Sequence, residues 1–340
     1  MTSTNEAWLA QVREEALEPD LPIVDPHHHL WEFRHERVAH RYLMDDIQAD
    51  LQAGHNIVAT VFIEAGAMYR ADEPAHLACV GETEFANGIA AMSASGLYGP
   101  AQVCAGIVAH ADLTRGDGVD EVLDAHARAA GERFKGIRHS VTWDASPEVP
   151  DARTEPGPGL YLDPDFQQGA RRLAARGLSL EGWCYHTQIP ELTALARAVP
   201  DLTIVLDHFG GPVGVGPYAG RQDEIHARWQ GELRELAACP NVVAKLGGIN
   251  MELNGFGWHE RDLPPDSDAL LEATRPWYEF TIETFGVERC MFESNFPVDM
   301  CSCDYVVLWN SFKKLCAGAS ADEKRALFHD TAARVYWLDL

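Results

Sequence analysis

Short runs of apolar and β-branched residues alternate along the chain with longer stretches in which apolar positions recur every three or four residues. Eight runs predict strands, over residues 23–27, 57–64, 103–110, 134–141, 178–186, 203–208, 242–246 and 289–293. The stretches between them predict helices, including 120–131, 165–176, 189–198, 229–239 and 270–285. Strands that alternate with helices are typical of βαβ units and a parallel sheet. Eight such units predict a distorted (β/α)8 TIM barrel, formed by a single domain over residues 1–340 with a polar extension at 1–20.

An open, doubly wound sheet is the alternative fold for the same alternation. Its dinucleotide-binding form carries a G-x-G-x-x-G motif after the first strand, and this chain has no such motif there. The long segments 67–82, 146–163 and 210–220 follow predicted strands two, four and six, and we expect lids or binding loops there. Residues 320–340 predict a closing helix.

Every predicted strand ends on, or beside, a polar side chain that could take part in chemistry. In chain order these residues are His27 and His29, Glu64, His110, Arg138 and His139, His186, Asp207 and His208, Lys245, and Glu293 and Asn295. Barrel enzymes build their active sites at the carboxyl ends of the strands. The pattern therefore predicts a polar active site at this end of the barrel.

The first strand carries the sharpest signal, because it ends in three consecutive histidines. Side chains two residues apart share one face of a strand, so His27 and His29 point together and His28 points toward the helices. Two imidazoles on one face form the arrangement that a divalent metal ion needs. The alternative is that both are ordinary core histidines with satisfied hydrogen bonds.

Histidines also end the fifth and sixth strands, at His186 and His208. Strict alternation lets only one of Asp207 and His208 face the interior. We expect His208 to face inward and Asp207 to be structural.

Composition and charge exclude several classes of function. A net charge of −25 over 340 residues disfavours binding to nucleic acid and to anionic membranes. No apolar run is long enough for a membrane helix, and residues 1–20 lack a secretory signal pattern, so we expect a cytoplasmic protein. The eight cysteines are irregularly spaced, and we expect free thiols.

Cationic residues near strand ends have two interpretations. Arg138 and Lys245 could clamp a substrate carboxylate, since a planar guanidinium matches that group well. They could equally form internal salt bridges to Glu64 or Glu293. Aromatic residues such as Trp31, Tyr69, Trp143 and Trp258 could wall a pocket or simply fill the core.

The pattern D-x-H-x-H-x-W at Asp25, His27, His29 and Trp31 resembles the amidohydrolase-related (amidohydrolase 2) metal-dependent hydrolases. The resemblance continues through residues 183–192, 207–212 and 289–299, and thus covers nearly the whole chain. It is strongest to the branch that contains L-fuconolactonase and 2-pyrone-4,6-dicarboxylate lactonase. This resemblance implies a barrel enzyme that acts on a lactone bearing hydroxyls or carboxylates.

The resemblance also implies a set of site residues. Catalytic roles fall to His27, His29, His186, His208 and Asn295, and one divalent metal, zinc above all, would be held by His27, His29 and His186. For substrate binding we expect Arg138, Lys245, Glu64 and Trp31. Family members usually carry an aspartate where this chain has Asn295, and an amide is neither a general base nor a good zinc ligand. The metal site is therefore weakened or absent, and the general base stays open among Glu293, Asp299, Glu64 and the histidines.

Three functions remain in competition at this stage. The first is hydrolysis of a lactone, or a related cyclic ester, of a sugar acid or an aromatic-catabolite acid by water attack at the carbonyl. The second is a decarboxylase or another carbon–carbon lyase, and the third is a non-catalytic barrel that binds small molecules. All three predict an anionic or polyhydroxylated small-molecule partner, and all are compatible with a homo-oligomer.

Overall fold

A computed structural model describes residues 5–32, 41–150 and 152–340. Eight parallel strands form one sheet in sequential order. The strands are β1 (Pro22–His28), β2 (Asn56–Ile63), β3 (Gln102–Ala109), β4 (Phe134–Arg138), β5 (Ser179–Gly182), β6 (Ile204–Leu206), β7 (Val242–Leu246) and β8 (Cys290–Phe292). A parallel bridge between His28 and Phe296 brings the chain after β8 back to β1. The predicted (β/α)8 TIM barrel is therefore confirmed, and the open sheet is wrong.

Helices surround this sheet. They are α1 (Asn5–Leu9), α2 (Met44–Leu51), α3 (Val80–Ala94), α4 (Asp120–Ala130), α5 (Pro164–Ala175), α6 (Ile189–Ala198), α7 (Gln222–Ala237), α8 (Ser267–Phe285), α9 (Tyr305–Leu315), α10 (Ala321–Arg325) and α11 (Thr331–Val335), with a π-helical turn between the last two. None of the described helices has the length and apolar character needed to cross a membrane. All eight cysteines are free, as expected.

Alternation along the strands divides the apolar residues between two layers. In β2, Val61 and Ile63 join the inner cluster of the barrel, whereas Phe62 packs in the outer layer against the helices. Val335 and Tyr336 from the C-terminal segment pack into the same inner cluster. The predicted closing helix over 320–340 therefore contributes to the barrel interior.

Three strands end at least two residues earlier than the sequence pattern predicts. The ladder of β5 stops at Gly182 and that of β6 at Leu206, so His186 and His208 lie in single 3-10 turns instead of strands. β4 likewise stops at Arg138, three residues before the predicted end. Apolar residues continue beyond the last residue of each strand, because the turns that follow pack against neighbouring loops. An alternating sequence pattern does not distinguish such a buried turn from a strand.

Buried histidines make the stability of this fold sensitive to acid. Burial lowers the pKa of His126 to about 4. It is also the largest effect on His28 and His139, whose pKa values fall to about 3. These rings are neutral in the folded protein, while an unfolded histidine binds a proton near pH 6.5. Because the unfolded chain binds more protons below pH 6.5, the free energy of unfolding falls as the pH drops from 6.5 toward 4.

His126→Gln tests this dependence at one position. His126 Nε2 lies 2.9 Å from the His110 carbonyl oxygen and Nδ1 lies 2.8 Å from Thr83 Oγ1, contacts that an amide can keep. Between pH 7.5 and pH 5 we expect the variant to lose about 2 kcal/mol less unfolding free energy than the wild type, measured by urea titration. His259→Gln on the surface is the control. An equal loss in H126Q and wild type would contradict the assignment of a neutral buried ring.

Candidate active site

Three buried side chains converge beyond the carboxyl ends of β1, β6 and β8: His27, His208 and Glu293. One carboxylate oxygen of Glu293 lies 2.8 Å from His27 Nδ1, and the other lies 2.7 Å from His208 Nδ1. The two imidazole rings are 4.5 Å apart between centroids. One ligand atom from each of the three side chains lies within 4.8 Å of the others, which is close enough to hold a metal ion.

Glu293 determines which nitrogen of each imidazole carries the proton. Burial alone would raise the pKa of Glu293, but His208 and His27 outweigh burial and lower it to about 2. An ionised carboxylate only accepts hydrogen bonds, so Nδ1 of each ring donates to it. Burial, reinforced by Lys245, lowers the pKa of His27 to about 4 and keeps that ring neutral. Its Nε2 atom is then an acceptor.

His29 adds a second acceptor nitrogen beside His27. Its Nδ1 atom lies 2.8 Å from the carbonyl oxygen of Ile63, to which it must donate. Nε2 of neutral His29 is then an acceptor, and it lies 3.2 Å from Nε2 of His27. The ring of His29 stacks on the buried indole of Trp31, with 5.7 Å between centroids.

Lys245 lies wholly buried beneath the histidines. Its Nζ atom is 2.7 Å from Glu181 Oε2, 3.3 Å from Asp207 Oδ1 and 3.1 Å from His27 Nδ1. Burial alone would lower the pKa of Lys245, but Asp207 and Glu181 outweigh burial and raise it. Burial raises the pKa of Glu181 to about 8, which Lys245 opposes, and the hydroxyl of Tyr336 donates to Glu181 Oε1 at 2.7 Å.

Glu64 joins two arginines at the edge of this cluster. Arg138 donates from Nε to Glu64 Oε1 at 2.9 Å and from a terminal nitrogen to the Glu64 carbonyl. Its other terminal nitrogen lies 3.3 Å from His27 Nε2. Arg153 pairs with the second carboxylate oxygen of Glu64. Burial would raise the pKa of Glu64, but Arg153 and Arg138 outweigh burial and lower it to about 2.

Asn295 ties the end of β8 to β1. Its backbone N–H donates to the His27 carbonyl at 2.9 Å, and its left-handed φ of 55° turns the chain after β8. The side-chain amide donates to Asp299 Oδ1 at 2.8 Å. Burial raises the pKa of Asp299 to about 7, an effect that Asn295 opposes. Asn295 therefore contributes to this corner through its backbone and through Asp299.

The expectation that only one of Asp207 and His208 faces the interior is wrong. Asp207 Oδ1 lies 3.7 Å from His27 Nδ1, while His208 contacts Glu293. Strand alternation no longer applies here, because β6 ends at Leu206 and His208 adopts a left-handed φ of 51°. The turn aims two successive side chains at one cluster.

His186 and His28 lie apart from the cluster. His186 Nδ1 accepts from the Val213 N–H at 3.3 Å, and its ring packs against Tyr218. The described group that could hold a metal contains Glu293 and His208 and does not include His186. His28 lies on the opposite face of β1, where it contacts Thr60 at 2.9 Å.

Sequence reasoning did not single out Glu181, Tyr336 or Arg153. Glu181 carried a usable signal, because it is a lone charged residue inside the apolar run 178–186. Tyr336 lies in the C-terminal tail and Arg153 in the loop after β4, and neither position follows a pattern that indicates chemistry. The interior pairing of Lys245 is with Glu181 and Asp207, while Glu293 is 4.0 Å away.

Comparison with known proteins identifies a family to which the chain is similar. The amidohydrolase family model matches residues 24–338. An uncharacterised protein of Sinorhizobium fredii is 33% identical over 93% of this chain and 99% of its own length. The L-fucono-1,5-lactonase of Burkholderia multivorans is 30% identical over 64% of this chain and 68% of its own length. A zinc-bound crystal structure of a Burkholderia multivorans amidohydrolase is 25% identical, with a TM-score of 0.72 over 93% of this chain and 99% of that one.

Removal of the Lys245 charge should strongly destabilise the protein. Lys245→Met leaves Glu181, Asp207 and Glu293 buried without their cation, and a broken buried ion pair costs about 3 to 5 kcal/mol of unfolding free energy. Urea unfolding followed by circular dichroism measures the loss. The double variant K245M/D207N should recover part of it, because Asp207 is the neighbour that Lys245 keeps ionised against the effect of burial.

Arg197→Met is the matched control, since Arg197 forms an exposed pair with Glu235. It should leave the midpoint of urea unfolding close to that of the wild type, because an exposed ion pair contributes little to stability. If K245M were no more destabilising than R197M, the interior network would not be a stabilising ion cluster.

Proposed function

We propose that this enzyme, which belongs to the amidohydrolase family, opens the ring ester of a small lactone by attack of water on the carbonyl carbon. The observation that carries the proposal is the buried cluster of His27, His208 and Glu293 at the carboxyl ends of the strands. A lactone-hydrolysing relative, the L-fucono-1,5-lactonase, supports this reaction over the carbon–carbon lyase alternative.

The cluster fits a single divalent metal ion, most simply zinc. Imidazole nitrogens that carry a free lone pair are ligands that catalytic zinc uses. Nε2 of His27 and Nε2 of His29 are 3.2 Å apart, close to the roughly 3.3 Å between two nitrogens that each lie 2.0–2.1 Å from one tetrahedral zinc ion. We propose that Nε2 of His27 and Nε2 of His29 hold the ion, and that Glu293 orients His27 and His208 through their Nδ1 atoms. A bound zinc ion lowers the pKa of a water molecule and polarises a carbonyl oxygen.

Asp207 is our choice for the group that takes the proton of water. Its Oδ1 atom lies 3.3 Å from Lys245 Nζ and 3.7 Å from His27 Nδ1, so its contacts are longer than those of the other carboxylates in the cluster. The other carboxylates are engaged, since Glu64 is held by two arginines and Asp299 by Asn295. Burial alone would raise the pKa of Asp207, but Lys245 and His27 outweigh burial and hold it well below its usual value, so an ionised carboxylate lies beside His27 to accept the proton.

The reaction can then be written with its atoms balanced. The oxygen of water bonds to the lactone carbonyl carbon while Asp207 accepts a proton, and negative charge develops on the carbonyl oxygen. Arg138 and Lys245 supply positive charge near this point. The ring carbon–oxygen bond breaks next, and the proton returns from Asp207 to the leaving alkoxide. The product is a hydroxy acid.

Metal content tests the proposed ligands. Wild-type protein purified without chelator should hold no more than one zinc ion per chain, with partial occupancy because Asn295 stands where the family has a carboxylate. His27→Asn should remove the zinc, whereas His28→Asn should keep it, since His28 lies on the other face of β1. Elemental analysis of folded variants measures this. Two ions per chain, zinc retained in H27N, or a wild type without zinc would contradict the metal proposal.

Lactone hydrolysis itself is tested by proton release over a panel of sugar-acid and carboxylated lactones that includes L-fucono-1,5-lactone. Asp207→Asn should lower kcat at least about a hundredfold on any lactone that the wild type opens, because the proton acceptor is lost. Asp299→Asn is the matched control and should change kcat much less. A larger effect of D299N than of D207N would assign the base to Asp299, and a wild type that opens no lactone would overturn the proposed function.

A further inference from the structure

We infer that Arg153 selects lactones that carry a carboxylate, an inference that rests on the proposed lactone hydrolysis. Arg153 lies in the loop that follows β4, a segment that runs to α5. It reaches back over the site and pairs with Glu64, the carboxylate that also binds Arg138. The mechanism proposed above does not use Arg153.

The backbone on both sides of Arg153 is anchored to the chain that leaves β4. The N–H of Ala152 donates to the Thr142 carbonyl at 2.8 Å, and Thr154 Oγ1 donates to the Ser140 carbonyl at 2.7 Å. These two bonds hold the loop at the edge of the site. The direction of Arg153 is therefore set by hydrogen bonds on each side of it.

The loop after β2 provides a seat for the guanidinium. A Cβ atom at Gly66 would lie 2.7 Å from Arg153 Nε and 2.9 Å from Cζ, so a larger residue at this position would displace the guanidinium. Glu82, at the start of α3, accepts hydrogen bonds from the N–H groups of Ala65 and Ala67 at 2.8 and 2.9 Å. A buried carboxylate thus holds the loop that receives Arg153.

Arg153 differs from Arg138 in that part of its guanidinium is exposed and has N–H donors available for a ligand. The side chain of Arg138 is only 5% exposed, and its nitrogens contact Glu64 and His27. The side chain of Arg153 is 37% exposed. Within the described part of the chain, its hydrogen bonds go to Glu64 and to the hydroxyl of Tyr69, which use two of the five N–H donors of a guanidinium.

The chemistry that fits the remaining donors is a carboxylate. A guanidinium binds a carboxylate through two parallel hydrogen bonds, an arrangement that a neutral amide or ester reproduces poorly. Glu64 already lies between Arg153 and Arg138, which shows that this corner accommodates a carboxylate between two guanidinium groups. A substrate carboxylate at the exposed side of Arg153 would orient the lactone carbonyl toward His27.

Paired ligands that differ only in charge test this inference. Tetrahydrofuran-2-carboxylate and its carboxamide have no ester to hydrolyse, so their dissociation constants can be measured by calorimetry on the active wild type. We expect the acid to bind at least about tenfold tighter than the amide. Arg153→Gln should weaken binding of the acid about tenfold and leave the amide within twofold, while R153K should fall between. In the wild type, kcat/KM for 5-oxotetrahydrofuran-2-carboxylate should likewise exceed kcat/KM for its amide at least about tenfold, and R153Q should lose this preference.

Arg221→Gln is the control, because Arg221 is a half-exposed arginine in the loop after β6, and its loss changes the net charge equally. It should bind both ligands as the wild type does. Retained preference for the acid in R153Q, or a wild type that binds both ligands equally or neither, would overturn the inference. Failure of lactone hydrolysis alone, with the binding preference intact, would instead overturn the proposed function.

Discussion

The ammonium group of Lys245, buried at the centre of the barrel, is the constraint on which the site depends. An isolated charge there would be prohibitively costly, so carboxylates must surround it. Glu181, Asp207 and Glu293 do so from three different strands or their ends, and Tyr336 completes the shell through Glu181. Each of these carboxylates also contacts a second polar side chain: Glu181 contacts Tyr336, and both Asp207 and Glu293 contact His27. A shift of one strand would leave a buried charge unpaired, so the cluster favours a single arrangement of the strand ends.

Glu293 connects the ion cluster around Lys245 to the imidazoles of His27 and His208. It accepts from Nδ1 of both His27 and His208, which fixes the orientation of both rings and leaves Nε2 of neutral His27 as an acceptor. The Ile63 carbonyl does the same for His29. Acceptor nitrogens whose tautomer is fixed in advance match a cation such as the proposed metal ion, which would bind them without reorientation of the rings.

The outer edge of the site is built from loops, and here Glu64 is the connecting group. It binds Arg138 on the interior side and Arg153 on the exposed side, so the same carboxylate links the histidine cluster to the loop after β4. The proposed chemistry thus lies at strand ends, whereas the residue proposed for substrate recognition lies on a loop outside the core.

The sequence by itself determined the number and order of the strands, the polar character of their carboxyl ends, and the opposite orientation of His27 and His28, because these features follow from periodicity within one element. It could not determine which ends meet. Glu293 and His208 are 85 residues apart, Arg153 and Glu64 are 89 apart, and Tyr336 and Glu181 are 155 apart. Those contacts depend on barrel closure and on loop conformation. The same reason explains the errors at Asp207 and His186, since left-handed and 3-10 turns after the strands replace the alternation that a local pattern assumes.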